Sequence, residues 1–134
     1  MKILNLMLLL LLTMEVQARD QDTYFFPASK LSNSAQAMYI TQLFDSMKMS
    51  NDVAVSSART LSEKKTKLCL SNLTLRSWID LVEKNRDLFG DEYADRLYIN
   101  PTKKEIEENK KQIGMSCNKA FDQQLLEIEN RYKK

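Results

Sequence analysis

Apolar side chains recur along this chain at helical rather than alternating spacing. Ala37, Ile40, Phe44 and Met47 fall three or four positions apart, which predicts one buried side of a helix beginning near Ser32 or Ser34. The polar triplet Ser50-Asn51-Asp52 predicts its end. A second helix is expected from about Asp52 to Leu70, anchored by Val53, Ala58, Leu61 and Leu68. A third follows from Leu75, with Trp78, Ile79, Val82 and Phe89 on one face. Ser71 or Asn72 is placed to cap it, and Gly90 to end it.

A short helical segment from Asp91 to about Tyr98 should stop before Asn100-Pro101, because proline disfavours helical backbone in the residue preceding it. Thr102 with Glu105 three positions later reads as a capping box that restarts the helix. From there the apolar stripe runs through Ile106, Ile113, Cys117, Ala120, Phe121, Leu125, Ile128 and Tyr132, with Gly114 and Ser116 as a break between two helices. No segment alternates convincingly as a strand. The expected fold is all-α, a single compact domain of about five or six helices.

The beginning of the chain has a different character. Lys2 is followed by a nearly unbroken apolar run from Ile3 to Leu12, and Val16 and Ala18 are small residues suited to signal-peptidase cleavage. Residues 1–18 are therefore expected to be a signal peptide and residues 19–134 a secreted helical domain. A membrane anchor fits less well, since a spanning helix needs about 20 apolar residues. No later stretch supplies them, so membrane insertion is not expected after signal removal.

Secretion gives the cysteines a meaning. The chain has two, Cys69 and Cys117, and in an oxidising compartment a pair with no others points to one disulfide closing a long loop. Two buried free thiols, or a bridge between chains, are the alternatives. Asn72-Leu73-Thr74 is an acceptor triplet for an N-linked glycan on Asn72 if the route is eukaryotic.

Composition narrows the chemistry. The chain contains no histidine, which removes the usual base for serine or cysteine nucleophiles, and two cysteines alone cannot fill an ordinary zinc site. Two glycines cannot build a phosphate-binding loop. Neither catalytic nor metal-ligating residues nor a cofactor are expected, and the adjacent acids Asp91/Glu92 and Glu107/Glu108 read as solvated helix surface. Without Lys2 and Glu15 the secreted part carries 19 basic and 17 acidic residues, interleaved rather than gathered, which argues against a nucleic-acid partner.

Two function classes remain. One is a carrier of small apolar ligands, favoured by a supply of soft and aromatic side chains that includes Met38, Phe44, Met47, Met49, Phe89, Tyr93 and Met115. The buried faces of residues 75–89 and 106–128 would then enclose a cavity lined by Trp78, Val82, Ile113 and Phe121. The other is a secreted protein ligand or effector, cytokine-like, reproductive or salivary, that acts through an extracellular protein partner. An exposed apolar patch would mark it.

The run "CNKAF" at 117–121, with the mature length and the helical content, resembles the insect odorant-binding proteins, in which a late cysteine often opens a Cys-x-x-Ala-aromatic run. The resemblance implies a helical carrier of small apolar molecules. It also implies that Cys69 and Cys117 correspond to the family's second and fifth cysteines, which pair with each other. The chain departs from the six-cysteine pattern. Leu73 and Leu126 stand where the third and sixth cysteines would fall, and the first and fourth are absent. Members with fewer cysteines generally lose the very pair that is kept here.

Overall fold

The computed structural model describes Phe26 and residues 28–133. The expected signal peptide, residues 1–18, lies outside the described residues. Among the described residues all regular structure is helical: α1 (Ser34–Ser56), α2 (Leu61–Lys84), α3 (Arg86–Phe89), α4 (Asp91–Tyr93), a π-helical segment (Ala94–Ile99), α5 (Asn100–Ile113) and α6 (Cys117–Tyr132). None of these helices is long and apolar enough to cross a membrane.

The first corrections concern where helices begin and end. Ser50-Asn51-Asp52 does not break α1, which runs on to Ser56. Each of these polar residues costs a few tenths of a kcal/mol in helix propensity, far less than a glycine or proline. Tertiary contacts offset that cost: Asn51 turns inward and donates from Nδ2 to Thr74 Oγ1 at 3.3 Å. The real break is at residues 57–60. There Thr60 accepts from the Glu63 N–H, and Glu63 in turn accepts from the Arg59 N–H at 2.9 Å. This is close to a capping box, formed by "TLSE" rather than "TKKE". Val53 and Leu61, expected as anchors, are exposed.

Nor does a helix start at Leu75. α2 is continuous through Ser71 and Asn72, which are buried in its middle and cap nothing. α2 is the central element, with α1, α5 and α6 packed around it, so that polar side chains as well as apolar ones are enclosed. Several of these are satisfied from distant parts of the chain. Asn109 of α5 donates to Asn72 Oδ1 at 2.9 Å, and Ser77 Oγ accepts from the Phe26 N–H at 2.9 Å. Among the described residues no buried side-chain nitrogen or oxygen lacks a hydrogen-bond partner, as a stable interior requires.

Asn85 ends α2 and is itself fully buried. Its amide donates to the Leu81 and Ser29 carbonyls, each at 2.8 Å, while its oxygen accepts from the Leu31 N–H at 2.7 Å. One side chain thus closes the helix and fastens the incoming segment against it. Gly90, at φ 82°, ends only the short α3 that carries Phe89, not the helix of Trp78 and Val82, which stops at Asn85; a Cβ there would sit 3.2 Å from the Tyr93 ring.

Pro101 does not end the next helix. The chain widens into π-helical turns over Ala94–Ile99, and the Asn100 N–H reaches back to the Asp95 carbonyl. Pro101 then falls in the first turn of α5, where its missing N–H costs little. Because the helix never stops, Thr102 has no orphan donors to cap. Its hydroxyl instead donates to the Tyr98 carbonyl at 2.6 Å, and Glu105 pairs with Lys48 of α1 at 3.1 Å. The break at Gly114 is as expected: φ is 63°, and its N–H closes on the Lys110 carbonyl at 3.0 Å. Ser116 caps α6 by accepting from the Lys119 N–H.

The disulfide joins Cys69 to Cys117, with Cα atoms 5.7 Å apart, so neither free thiols nor an interchain bridge applies. It ties the middle of α2 to the first turn of α6. Beyond Phe121 the expected stripe fails. Leu125, Leu126, Ile128 and Tyr132 are exposed, and α6 is held to α2 there by polar contacts, Ser62 to Gln124 at 2.7 Å and Thr60 to Glu127 at 3.1 Å.

Candidate functional site

The four residues expected to line one cavity lie in two separate clusters. Trp78 and Val82 belong to the larger core with Phe26, Phe44, Leu75, Leu81, Ala94, Ile99 and Ile106. Ile113 belongs to a smaller core with Leu68, Cys69 and Ala120, against which Phe121 packs half-buried. Aromatic rings fill the space around Trp78. Phe44 stacks on it at 4.3 Å, and Phe26, Phe89 and Tyr98 meet it edge-on at 5.8, 5.6 and 6.3 Å. The indole is 1% exposed. Among the described residues Trp78 and Val82 belong to that core, with Trp78 bordering an open pocket of about 260 Å³ beside Phe44 and Tyr98, while Ile113 and Phe121 border a different one.

Asn72 also changes role. Its side chain is 4% exposed and held by Asn109. A glycan on that amide would require this packing to open.

The feature missed in the sequence lies on α1. Met38, Tyr39, Met49 and Val53 are each about two-thirds exposed, at 63, 65, 69 and 66%. Leu43 lies among them at 39%. Met38 and Met49, expected to serve an internal cavity, face outward. At 100° per residue these five positions, with Ala35, Gln42, Ser46, Ser50 and Ser56, occupy one continuous arc opposite the buried Ala37, Phe44 and Asn51. That arc contains no charged residue. The only charges in α1 are Asp45, Lys48 and Asp52, all on one flank. There Lys48 reaches Glu105. Partial burial works against its charge, but Glu105 and Asp52 outweigh this and raise the ammonium above its ordinary value, so it stays charged.

α6 also exposes large apolar side chains, Leu125, Leu126, Ile128 and Tyr132, whereas the outward face of α5 is charged. α5 exposes Lys103, Lys104, Glu107, Glu108, Lys110 and Lys111. The signal on α1 was available on a helical wheel, but reading it required knowing which arc the core takes. Among the described residues no group of three or more acidic or cysteine side chains is placed to hold a metal ion.

No protein-family model matches the chain, and neither the curated proteins nor the solved structures contain a match.

Proposed function

We propose that this is a secreted, non-catalytic helical protein that acts by docking the uncharged outer face of α1 on an extracellular protein partner. The observation that carries this reading is that face: one arc of a 23-residue helix that presents five large apolar side chains to solvent, the helix's three charges lying on its flank. Such a helix is about 34 Å long. Five side chains exposed to this degree make a patch on the order of 500 Å², a size that on soluble proteins marks an interaction site. The Cys69–Cys117 bridge supports an oxidising compartment. A carrier acting through an internal cavity at Trp78 ranks second, because aromatic rings occupy the space it would need.

The test is site-specific photo-cross-linking in the fluid into which the producing cells secrete the protein. A photoreactive residue at Met49 should give a discrete adduct that Leu43→Glu abolishes while the thermal melt is retained. The same group at Lys104, on the charged face of α5, should give none. Equal labelling from both positions, or none from Met49, would overturn the proposal.

A further inference from the structure

A second surface feature lies beside the disulfide. Where the chain turns from α5 into α6, an open crevice of about 470 Å³ separates that corner from α2. Its apolar lining comes from the Cys69–Cys117 bridge, Leu73, Ile113, Met115 and Phe121. Leu73 is half exposed there, although it sits in the middle of the central helix. Two cations stand among the lining residues, Arg76 of α2 and Lys110 of α5. Lys110 is already engaged by Glu107 at 2.6 Å. Among the described residues Arg76 has no carboxylate within ion-pair distance. Ser116 and Asn118 place the first turn of α6 at the same crevice, and the positive end of that helix's dipole adds to the two cations.

We propose that this crevice binds a small amphiphile with an anionic head group, its tail against the disulfide and Phe121, its head on Arg76. The volume falls within the range of about 300–1,000 Å³ usual for small-ligand sites, and an apolar lining with a few converging polar groups is their usual make-up. The sign of the polar groups selects the ligand. A neutral apolar molecule would leave Arg76 unused, and a cationic amphiphile would be repelled by it, Lys110 being balanced by Glu107. A carboxylate head meets a guanidinium whose fork geometry fits it. This site does not rest on the reading of α1 and contains no residue of that helix.

The probe is sodium decanoate, kept below its micelle concentration and titrated into isotope-labelled full-length secreted protein, with amide resonances as the readout. Saturable shifts are expected in residues 69–76 and 113–121, with the Trp78 indole resonance unmoved. Arg76→Gln should weaken binding about tenfold, the scale of one charge-assisted hydrogen bond. Decanol should bind about as weakly to the native protein as decanoate does to that variant. Leu73→Asp should abolish the shifts. Both side chains lie at the surface, and melting curves will show that the variants fold.

Vesicles of phosphatidylglycerol, titrated in parallel, should leave the same amides unmoved. That separates a free amphiphile from a membrane surface. The proposal is overturned if decanoate produces no saturable shift below about 1 mM. It is equally overturned if the shifts centre on Trp78, if only vesicles produce them, or if Arg76→Gln and decanol match the native pair.

Discussion

The indole of Trp78 and the ring of Phe44 lie face to face, centroids 4.3 Å apart and planes 5° from parallel. One comes from the C-terminal third of α2 and the other from α1, so this contact fixes the two longest helices against each other. Phe44→Ala should open a cavity beside the indole and cost about 3–5 kcal/mol of stability, measured by urea unfolding followed through Trp78 emission. Phe44→Leu, which keeps most of the volume, should cost clearly less. Equal losses for the two would mean that the ring's packing is not what holds α1 in place.

The disulfide acts at a different level. Cys69 and Cys117 are 48 positions apart, so the bridge closes a long loop in the unfolded chain. In the chain-entropy model that stabilises the fold by on the order of 4 kcal/mol. Replacing both cysteines by serine should lower the melting temperature sharply and loosen α6 before α2, since α6 is otherwise held by a small apolar cluster and a few polar contacts. Hydrogen exchange should show residues 117–132 protected in the native protein and exchanging first in the variant. Uniform acceleration across all helices would contradict this.

Asn72 and Asn109 offer a third test. Each is buried, and each loses its partner if the other is cut back to alanine. An orphaned buried polar group costs about 1–3 kcal/mol, whereas removing both partners costs less than the sum. A double-mutant cycle should therefore give a coupling of about 1 kcal/mol in the stabilising direction. The same burial predicts that protein secreted from a eukaryotic host carries no sugar on Asn72. Treatment with an amidase specific for N-linked glycans should leave its mass unchanged.

These three sites also mark what could be read in advance. The helical nature of the chain, the turn at Gly114 and the pairing of the two cysteines follow from local chemistry: period, backbone freedom and compartment. The boundaries did not, because Asn51, Asn72 and Asn85 look like breakers or caps until their partners are known. Those partners arrive from 23, 37 and as many as 56 positions away. The two Thr-x-x-Glu segments make the same point. Thr60 caps because the chain truly breaks before it, and Thr102 cannot, because a π-helical turn carries the helix past Pro101. For the sites, Ile113 and Phe121 do border a crevice, while Trp78 and Val82 sit in another core altogether. An apolar stripe reports burial, not which neighbour covers it.

Acid should destabilise the protein while neutral pH leaves it indifferent. The chain has no histidine, and its cysteines are bonded, so no side chain with an ordinary value titrates between about pH 5 and 8. Several carboxylates are held below their ordinary values by hydrogen-bonded cations: Glu63 chiefly by Lys67, Glu83 and Asp95 by Arg86, Asp87 by Lys30, and Glu107 by Lys110. The ordinary values are 4.5 for Glu and 3.8 for Asp. A group whose value is lower folded than unfolded contributes stability that is complete above the unfolded value and is lost as pH falls through the folded one. The melting temperature should therefore be flat from about pH 8 to 5.5 and fall below about pH 4. These pairs lie at the surface, so added salt should shrink the effect. Arg86 provides the decisive comparison, because it joins Glu83 at 2.6 Å and Asp95 at 2.8 Å. Arg86→Met should return both carboxyls toward their ordinary values. The variant should then melt lower than the native protein at pH 7, and the gap should close by pH 3. A gap that stays constant across that range would show that Arg86 contributes through packing rather than through charge.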